Sequence, residues 1–308
     1  MKVKKASVLT LAERCKNLLA SNWQAQLNTI KADAKGSKED IHTSKVKYIV
    51  KKGRPYVWVP EKDMHNMNTI IDERGSLAVT SPFPGPLSNL LRSIRKLPVR
   101  IALNGNLLPL KDEKAQLATE AVKEVLLNEQ RMMNEYSYTV SGVLSSSNLI
   151  TTSRSENLKE LLDQVERYCA YRFNISSCMF IDGFGRSHEV ELEDLETSKA
   201  DPLASFSAKL IDGINQSEAR RRALILFCLL YMNANARDAY MLSVDRKGFD
   251  VLGKIQSSVL KDDLGEYQWK EFRFKFTEEA RDIETCCRQL VEMEEEAVKR
   301  VSSYSGLT

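Results

Sequence analysis

The sequence predicts an α+β protein with two domains, and three observations support this. Val46, Tyr48 and Val50 lie at alternate positions before a Lys52-Gly53 turn, and a second apolar run over 55–59 follows it, which predicts a β-hairpin. Amphipathic helical segments separate the predicted strands, and the first of them covers residues 6–20. A chain of 308 residues with 43% hydrophobic residues can bury a substantial core and is long enough for two domains.

The N-terminal half is predicted to alternate between helices and strands. The first helix is followed by a strand, a polar loop and the hairpin, over residues 25–29, 31–39 and 46–59. A second helix is predicted from apolar residues at helical spacing, namely Met64, Met67, Ile70 and Ile71. Gly75 is expected to end this helix, and strands over 76–81 and 99–110 follow. A third helix is predicted over 112–133, with an inner face of Leu117, Ala121, Val125 and Leu126.

The middle of the chain contains a segment with little periodic apolar content. Residues 137–155 are rich in serine and threonine, which predicts a flexible loop inserted before the next strand over 168–175. A tight turn at Gly183-Phe184-Gly185 comes next. After it, a half-buried strand is predicted from the side chains that lean towards one face: His188, Val190, Leu192 and Leu195.

The composition changes after Asp201. Asp201 is expected to be the N-cap of a helix that Pro202 opens. Two helices over 202–213 and 217–233 would meet near Gly213, which is expected to form a kink. The last predicted elements are an antiparallel three-stranded meander and a helix, over 240–244, 248–252, 268–276 and 277–300.

Composition excludes several classes of function. The formal net charge is only +3 and the charged residues are interspersed, so nothing favours a nucleic-acid partner. Six cysteines show no CxxC pair and no zinc spacing, which is typical of reduced thiols inside a cell. No apolar run approaches the roughly 18 residues that a membrane span needs. The N-terminal residues before the first helix are too few for a whole transit or signal peptide, so we expect a cytoplasmic protein or a targeting segment that has been removed.

Three motifs in series carry a family resemblance: Asp182-Gly183-Phe184-Gly185, Asp201-Pro202-Leu203-Ala204 and Gly213-Ile214-Asn215-Gln216-Ser217-Glu218. Their order resembles the HugZ-type haem-degrading branch of the FMN-binding split-barrel proteins, the pyridoxamine-phosphate-oxidase-like fold. In that branch a GGFG hairpin is followed by a DPLA helix and an HMNxDH motif. Here Gly213 and Glu218 stand where that motif has its two histidines.

The resemblance extends over nearly the whole chain and implies an architecture. His65-Asn66-Met67-Asn68 is similar to an HxxN pattern that the branch carries in a helix between two barrel strands. The implied fold is a six-stranded FMN-binding-type split β-barrel over 1–198, followed by a small α/β domain over 199–308. Proteins of this fold dimerise by packing barrel faces, with ligand sites at the interface, so the resemblance implies a homodimer.

Haem is the first cofactor that the resemblance implies, because an imidazole ligates the iron in the haem-degrading relatives. Only three histidines are present. His188 is a candidate haem-iron ligand, with a structural histidine as the alternative. His65 is a candidate for contact with a bound ligand, and His42 is expected at the surface.

FMN is the second implied cofactor. Flavin oxidases of this fold hold the FMN phosphate with paired basic and hydroxyl side chains through charge-assisted hydrogen bonds. Ser44 and Lys45 occupy about the place of the phosphate-binding strand, and His65 and Asn68 lie near the following helix. Lysines exposed on an edge strand are the alternative interpretation of this pattern.

Two classes of function follow from the resemblance. The first is a non-catalytic or weakly catalytic protein of plastid tetrapyrrole and haem metabolism that binds haem or a partner protein. A plant group of this architecture binds glutamyl-tRNA reductase and haem and also lacks the histidine pair. The second is an enzyme, either haem oxygenase-like or an FMN-dependent oxidoreductase. A structural dimeric scaffold is a further alternative.

Overall fold

A computed structural model describes residues 8–33, 35–81, 86–134, 137–147, 157–163, 166–256 and 267–305. The first half contains, in chain order, α1 (Leu11–Ser21), β1 (Gln24–Asp33), β2 (Gly36–Lys51), β3 (Arg54–Pro60), α2 (Met64–Ile71), β4 (Arg74–Thr80), α3 (Pro86–Ser93), β5 (Arg100–Pro109), α4 (Glu113–Asn134) and α5 (Tyr138–Leu144). The second half contains β6 (Tyr168–Ile181), β7 (Ser187–Val190), α6 (Leu192–Thr197), α7 (Ser207–Gln216), α8 (Glu218–Met232), β8 (Ala236–Asp245), β9 (Gly248–Gln256), β10 (Tyr267–Lys275) and α9 (Ile283–Ser305).

The first sheet closes into a barrel. Its strand order is β3-β2-β1-β4-β5-β6-β7, and β3 also pairs with β6, so β1 to β6 form a closed antiparallel ring. The short strand β7 pairs only with β6 and lies outside the ring. Closure removes the free edges that an open sheet would present. The predicted six-stranded split barrel is therefore confirmed.

Alternate residues of the ring strands fill the barrel interior. The buried side chains there come from all six strands and from α1, and they include Cys15, Leu27, Val46, Val57, Leu77, Leu103 and Phe173. Gly75 of β4 and Gly105 of β5 lie opposite each other. A Cβ on Gly105 would lie 2.0 Å from the carbonyl oxygen of Asn174 on β6. Only glycine therefore allows β5 and β6 to approach each other this closely.

A second core lies around the three-stranded sheet β10-β9-β8. Helices α7, α8 and α9 cover this sheet with side chains such as Leu210, Phe227 and Leu290. Helices α3 and α5 also contribute to this core, through Leu87, Leu91, Val140 and Val143. Both helices precede residue 198, so two segments of the predicted N-terminal domain pack in the C-terminal core.

Several predicted boundaries were wrong. Residues 31–33 and 36–39 belong to strands β1 and β2, because the two strands continue to a tight turn that includes Lys35. Gly75 lies inside β4, and Asp72 is the C-cap of α2. Residues 192–197 form helix α6 instead of continuing the strand. Leu117 is exposed, while Ala118, Ala121 and Val122 form the inner face of α4.

Asp201 joins the two cores and does not begin a helix. The helix starts at Ser207, after a series of turns. The Asp201 amide donates to Asn17 Oδ1 on α1 at 2.7 Å. Its carboxylate accepts from the Arg246 amide at 3.0 Å, and the Arg246 guanidinium donates to Glu13 at 2.6 Å. These bonds tie α1 of the barrel to the β8–β9 turn.

The segment predicted as a flexible loop begins with a helix. Residues 137–155 include α5, whose Val140, Val143 and Leu144 are buried, and the part beyond 147 lies outside the described residues up to 156. Helix α5 packs against Gly213 of α7. A Cβ on Gly213 would lie 2.8 Å from the Val143 carbonyl oxygen. Gly213 therefore serves close helix packing and not a kink, because α7 runs through it to Gln216.

Gly213 on α7 and Gly142 on α5 give a matched pair of substitutions, one inside the helix contact and one outside it. We expect Gly213→Ala to lower the free energy of unfolding by about 1–3 kcal/mol, because α5 must move to admit the methyl group. Gly142→Ala should be neutral or stabilising by up to about 1 kcal/mol, because Gly142 has open space around it and alanine favours the helix. Urea unfolding measures both values, and equal effects of the two changes would contradict this packing.

Candidate functional site

Helix α2 has its polar side facing the barrel and its apolar side facing solvent. His65 and Asn68 are completely buried, and Thr69 is nearly so. The apolar residues whose spacing predicted the helix are between 40% and 79% exposed, namely Met64, Met67, Ile70 and Ile71. Asp63 caps the helix by accepting a hydrogen bond from the His65 amide at 2.9 Å. The orientation is the reverse of that of an ordinary surface helix.

Hydrogen bonds to β1 hold the polar side of α2 in place. The Asn68 carboxamide donates from Nδ2 to Thr29 Oγ1 at 2.9 Å, and its Oδ1 accepts from the Ala32 amide at 3.0 Å. The Ala32 amide can only donate, which fixes the orientation of the Asn68 side chain. Thr29 Oγ1 also lies 2.7 Å from His65 Nδ1. One buried hydroxyl thus positions two side chains of α2.

A cluster of two histidines and a carboxylate lies next to this network. Thr29 and His42 are register partners on β1 and β2, so His42 and Ser44 lie on the same side of the sheet as Thr29. His42 Nε2 is 3.0 Å from Asp63 Oδ1, and Ser44 Oγ donates to Asp63 Oδ2 at 3.0 Å. The rings of His42 and His65 are 4.5 Å apart between centroids. We call His42, Asp63 and His65 the His-Asp-His cluster.

The cluster has unusual electrostatics for a buried site. Burial lowers the pKa of His65 to about 4, so its imidazole is neutral at physiological pH. Burial alone would raise the pKa of Asp63, but hydrogen bonds from the His65 amide, His42 and Ser44 hold that pKa below its ordinary value. His65 Nε2 is buried and has no hydrogen-bond partner. A carboxylate and an unpartnered imidazole nitrogen therefore lie side by side.

The structure brings three of the predicted site residues together and separates the other two. His65, Asn68 and Ser44 all lie in or beside the His-Asp-His cluster. Lys45 is the next residue to Ser44 on a strand, so it faces the opposite side and is exposed. The two side chains therefore do not face one common site, and their role in holding an FMN phosphate stays a prediction. His42, which we expected at the surface, is a member of the cluster.

His188 lies on β7, outside the closed ring. Its Nε2 is 3.4 Å from Asp182 Oδ2, and its ring centroid is 6.3 Å from that of Phe180. The amides of Arg186 and Phe184 donate to Asp182 Oδ1 at 3.0 and 2.9 Å, and Arg186 Nε donates to Oδ2 at 2.9 Å. Together with the contact to His188, these hydrogen bonds lower the pKa of Asp182 despite its burial cost. The ring of His188 is thus held at the rim of the Gly183-Phe184-Gly185 turn.

The positions of the two family histidines do not fit a haem iron. Gly213 has no side chain and is covered by α5, as described above. Glu218 is exposed and forms an ion pair with Arg222 one turn further along α8. The Glu218 side chain has no nitrogen to offer to iron, and its carboxylate is already paired with the Arg222 guanidinium. Neither position therefore supplies an imidazole to a haem iron.

Comparison with solved structures supports the fold. A haem-binding protein from Mycobacterium smegmatis has a TM-score of 0.56 at 18% identity, covering 95% of this chain and 99% of that one. ChuZ from Campylobacter jejuni gives 0.39 at 11% identity, covering 62% of this chain and 63% of that one. A protein of the pyridoxinephosphate oxidase family from Clostridium acetobutylicum, related to general stress protein 26, gives 0.35 at 7% identity, covering 60% and 96%. No protein-family model matches the chain, and no curated protein is similar to it in sequence.

The fold is that of the FMN-binding split-barrel proteins of the pyridoxamine-phosphate-oxidase type. The last two scores are below 0.5, so this assignment rests on the first likeness and on the closed six-stranded ring. Haem and FMN are both possible cofactors for such a fold. Within the described part of the chain, no helix is long and apolar enough to cross a bilayer.

The role of Thr29 can be measured by comparing two threonines. Thr29→Val keeps the shape of the side chain but leaves His65 and Asn68 without their buried partner. We expect a loss of about 1–3 kcal/mol in the free energy of unfolding. Thr43 is the control, because its hydroxyl donates to Asn28 on the exposed side of the barrel at 2.8 Å. Thr43→Val should change stability by less than about 0.5 kcal/mol, and equal losses would contradict the assigned role.

Proposed function

We propose that the protein binds haem without degrading it, as a homodimer and in concert with a partner protein of tetrapyrrole metabolism. The observation that carries the proposal is the packing of α5 against Gly213. It fills the place where the haem-degrading relatives have an imidazole. Glu218, at the position of the second histidine, is engaged with Arg222. A protein that has this fold but lacks the two histidines fits haem binding better than haem degradation.

His188 is the histidine best placed to reach a haem. Its side chain is 39% exposed, against 23% for His42, and His65 is completely buried. Asp182 lies beside one ring nitrogen, and a carboxylate in that position orients an imidazole and makes it a better ligand. What haem supplies when bound is an iron that takes a neutral nitrogen donor. His188 would supply that donor, with Asp182 holding its ring.

The proposal includes a plastid location and a partner protein of tetrapyrrole synthesis. Both rest on the resemblance to the plant group that binds glutamyl-tRNA reductase and haem. The likeness over 95% of the chain to a protein described as haem-binding supports haem as the ligand. It carries no information on the partner, so this part of the proposal is an analogy at the level of the fold.

The homodimer has separate support from the surface of α2. Met64, Met67, Ile70 and Ile71 form an apolar stripe on the solvent side of the helix. Contiguous apolar surface of this kind marks contact sites in soluble proteins. A second copy of the barrel would remove the stripe from water, as the packing of barrel faces in this fold implies.

A haemin titration tests the haem proposal. We expect a saturable Soret band that survives the addition of ascorbate, because the ligands of the degrading branch are missing. His188→Ala should abolish or shift this band, whereas Glu189→Ala, an exposed neighbour on the same strand, should leave it unchanged. Bleaching to verdohaem or biliverdin would replace the proposal with a haem oxygenase. A flavin spectrum of the purified protein would favour an FMN-dependent oxidoreductase.

Light scattering tests the dimer. Ile70→Asp places a charge in the middle of the apolar stripe of α2, so we expect it to convert a dimer into a monomer at micromolar concentration. Leu117→Asp is the matched control, because Leu117 is an exposed apolar residue on a different helix, α4. It should leave the mass unchanged. A monomeric wild-type protein, or dissociation by both variants alike, would contradict an interface centred on α2.

A further inference from the structure

We propose that His42, Asp63 and His65 bind a divalent transition-metal ion, with Zn²⁺ as the closest chemical fit. The three residues come from two elements, strand β2 and the start of helix α2. One ligand atom from each lies within 4.8 Å of the others. This site does not depend on the proposed haem function, since it shares no residue with His188 or with the contact between α5 and Gly213.

The spacing suits a tetrahedral ion after a small movement. Zinc with ligands at about 2.1 Å holds its ligand atoms roughly 3.4 Å apart. His42 Nε2 and Asp63 Oδ1 are already 3.0 Å apart. His42 is partly exposed and can rotate, whereas His65 is fixed by its surroundings. When an ion binds, the proton that His42 Nε2 shares with Asp63 moves to His42 Nδ1 or to solvent.

The unpartnered nitrogen of His65 is the second observation for a ligand. Because Nδ1 is engaged with Thr29, only Nε2 is free, and it is buried without a partner. In one tautomer it is an unsatisfied donor and in the other an unsatisfied lone pair. Either state is unfavourable in a buried site. A metal ion is a partner to which a neutral imidazole can donate this lone pair.

The residues behind the ligands already have the arrangement that metal sites need. Ligating histidines usually bond through their second ring nitrogen to a neighbouring group, which fixes the tautomer and the ring. Thr29 does this for His65, and Asn68 fixes Thr29 in turn. Asp63 is held by the Ser44 hydroxyl on one oxygen and the His65 amide on the other.

Charge and access define the class of ion. Two imidazoles and one carboxylate suit Zn²⁺ and its neighbours in the first transition series better than Mg²⁺ or Ca²⁺, which prefer oxygen ligands. The N-terminus of α2 opposes a cation, and the carboxylate of Asp63 offsets this effect. His42 and Asp63 are 23% and 16% exposed, so an ion can enter from solvent. Three protein ligands leave a fourth position for water, as in sites that are open to exchange.

Zn²⁺ titration of the tag-free, full-length protein tests the proposal. Metal is first removed by a chelator, and Zn²⁺ is then added in competition with a chromophoric indicator. We expect one Zn²⁺ per chain. His42→Ala should weaken the affinity by at least about 100-fold, because loss of a supporting residue alone typically costs about 10–100-fold. Thr43→Val, on the opposite face of the same strand, should bind as the wild type does.

Two further measurements make the result decisive. Zn²⁺ should raise the melting temperature of the wild type, because an ion that binds only the folded chain stabilises it, and this rise should vanish in His42→Ala. Co²⁺ should give the visible bands of a tetrahedral site in the wild type. Absence of stoichiometric binding, or equal Zn²⁺ affinity in wild type and His42→Ala, would overturn the proposal. Because the wild-type results alone can do so, the test does not depend on the folding of a variant.

Discussion

The Thr29 hydroxyl is the contact on which the site depends. It is buried on β1 and engages His65 and Asn68, the two polar residues that α2 directs into the protein. Leaving the polar group of His65 or Asn68 buried without a partner would destabilise the fold. The loss would be about as large as the free energy gained by burying one large apolar side chain. The polar side of α2 therefore faces the barrel, and the Met and Ile side chains face outwards. One hydrogen-bond network thus sets both the cluster and the exposed apolar stripe.

Sequence periodicity predicted the elements better than it predicted their orientation. Helix α2 and strands β4 and β5 lie within a few residues of their predicted ranges. The apolar stripe of α2 indicated a helix. Periodicity alone does not show which side of a helix is buried, and here the polar side is buried because it finds hydrogen-bond partners on β1. Helix α5 was missed because its three apolar residues are surrounded by serines, although Val140, Val143 and Leu144 have helical spacing.

Part of the candidate site was accessible from sequence and part was not. The pattern His65-Asn66-Met67-Asn68 identified His65 and Asn68 through a family resemblance. Ser44 was predicted for a different reason, as part of a phosphate-binding strand. His42 is a lone histidine on a strand, and nothing in its local sequence indicates a partner. Its role depends on the register that places it opposite Thr29, and on the turn that brings Asp63 beside it. Both are properties of the folded barrel.

The two regions of interest are separable in energetic terms. The contact between α5 and Gly213 belongs to the core around β8, β9 and β10, whereas the His-Asp-His cluster belongs to the barrel. They share no residue, and changes in independent sites usually add. Because a Cβ at Gly213 would lie 2.8 Å from the Val143 carbonyl oxygen, a histidine at this position would require α5 to move. A substitution at Gly213 therefore acts on the core around β8, β9 and β10, whereas the His-Asp-His cluster lies on β2 and α2 of the barrel.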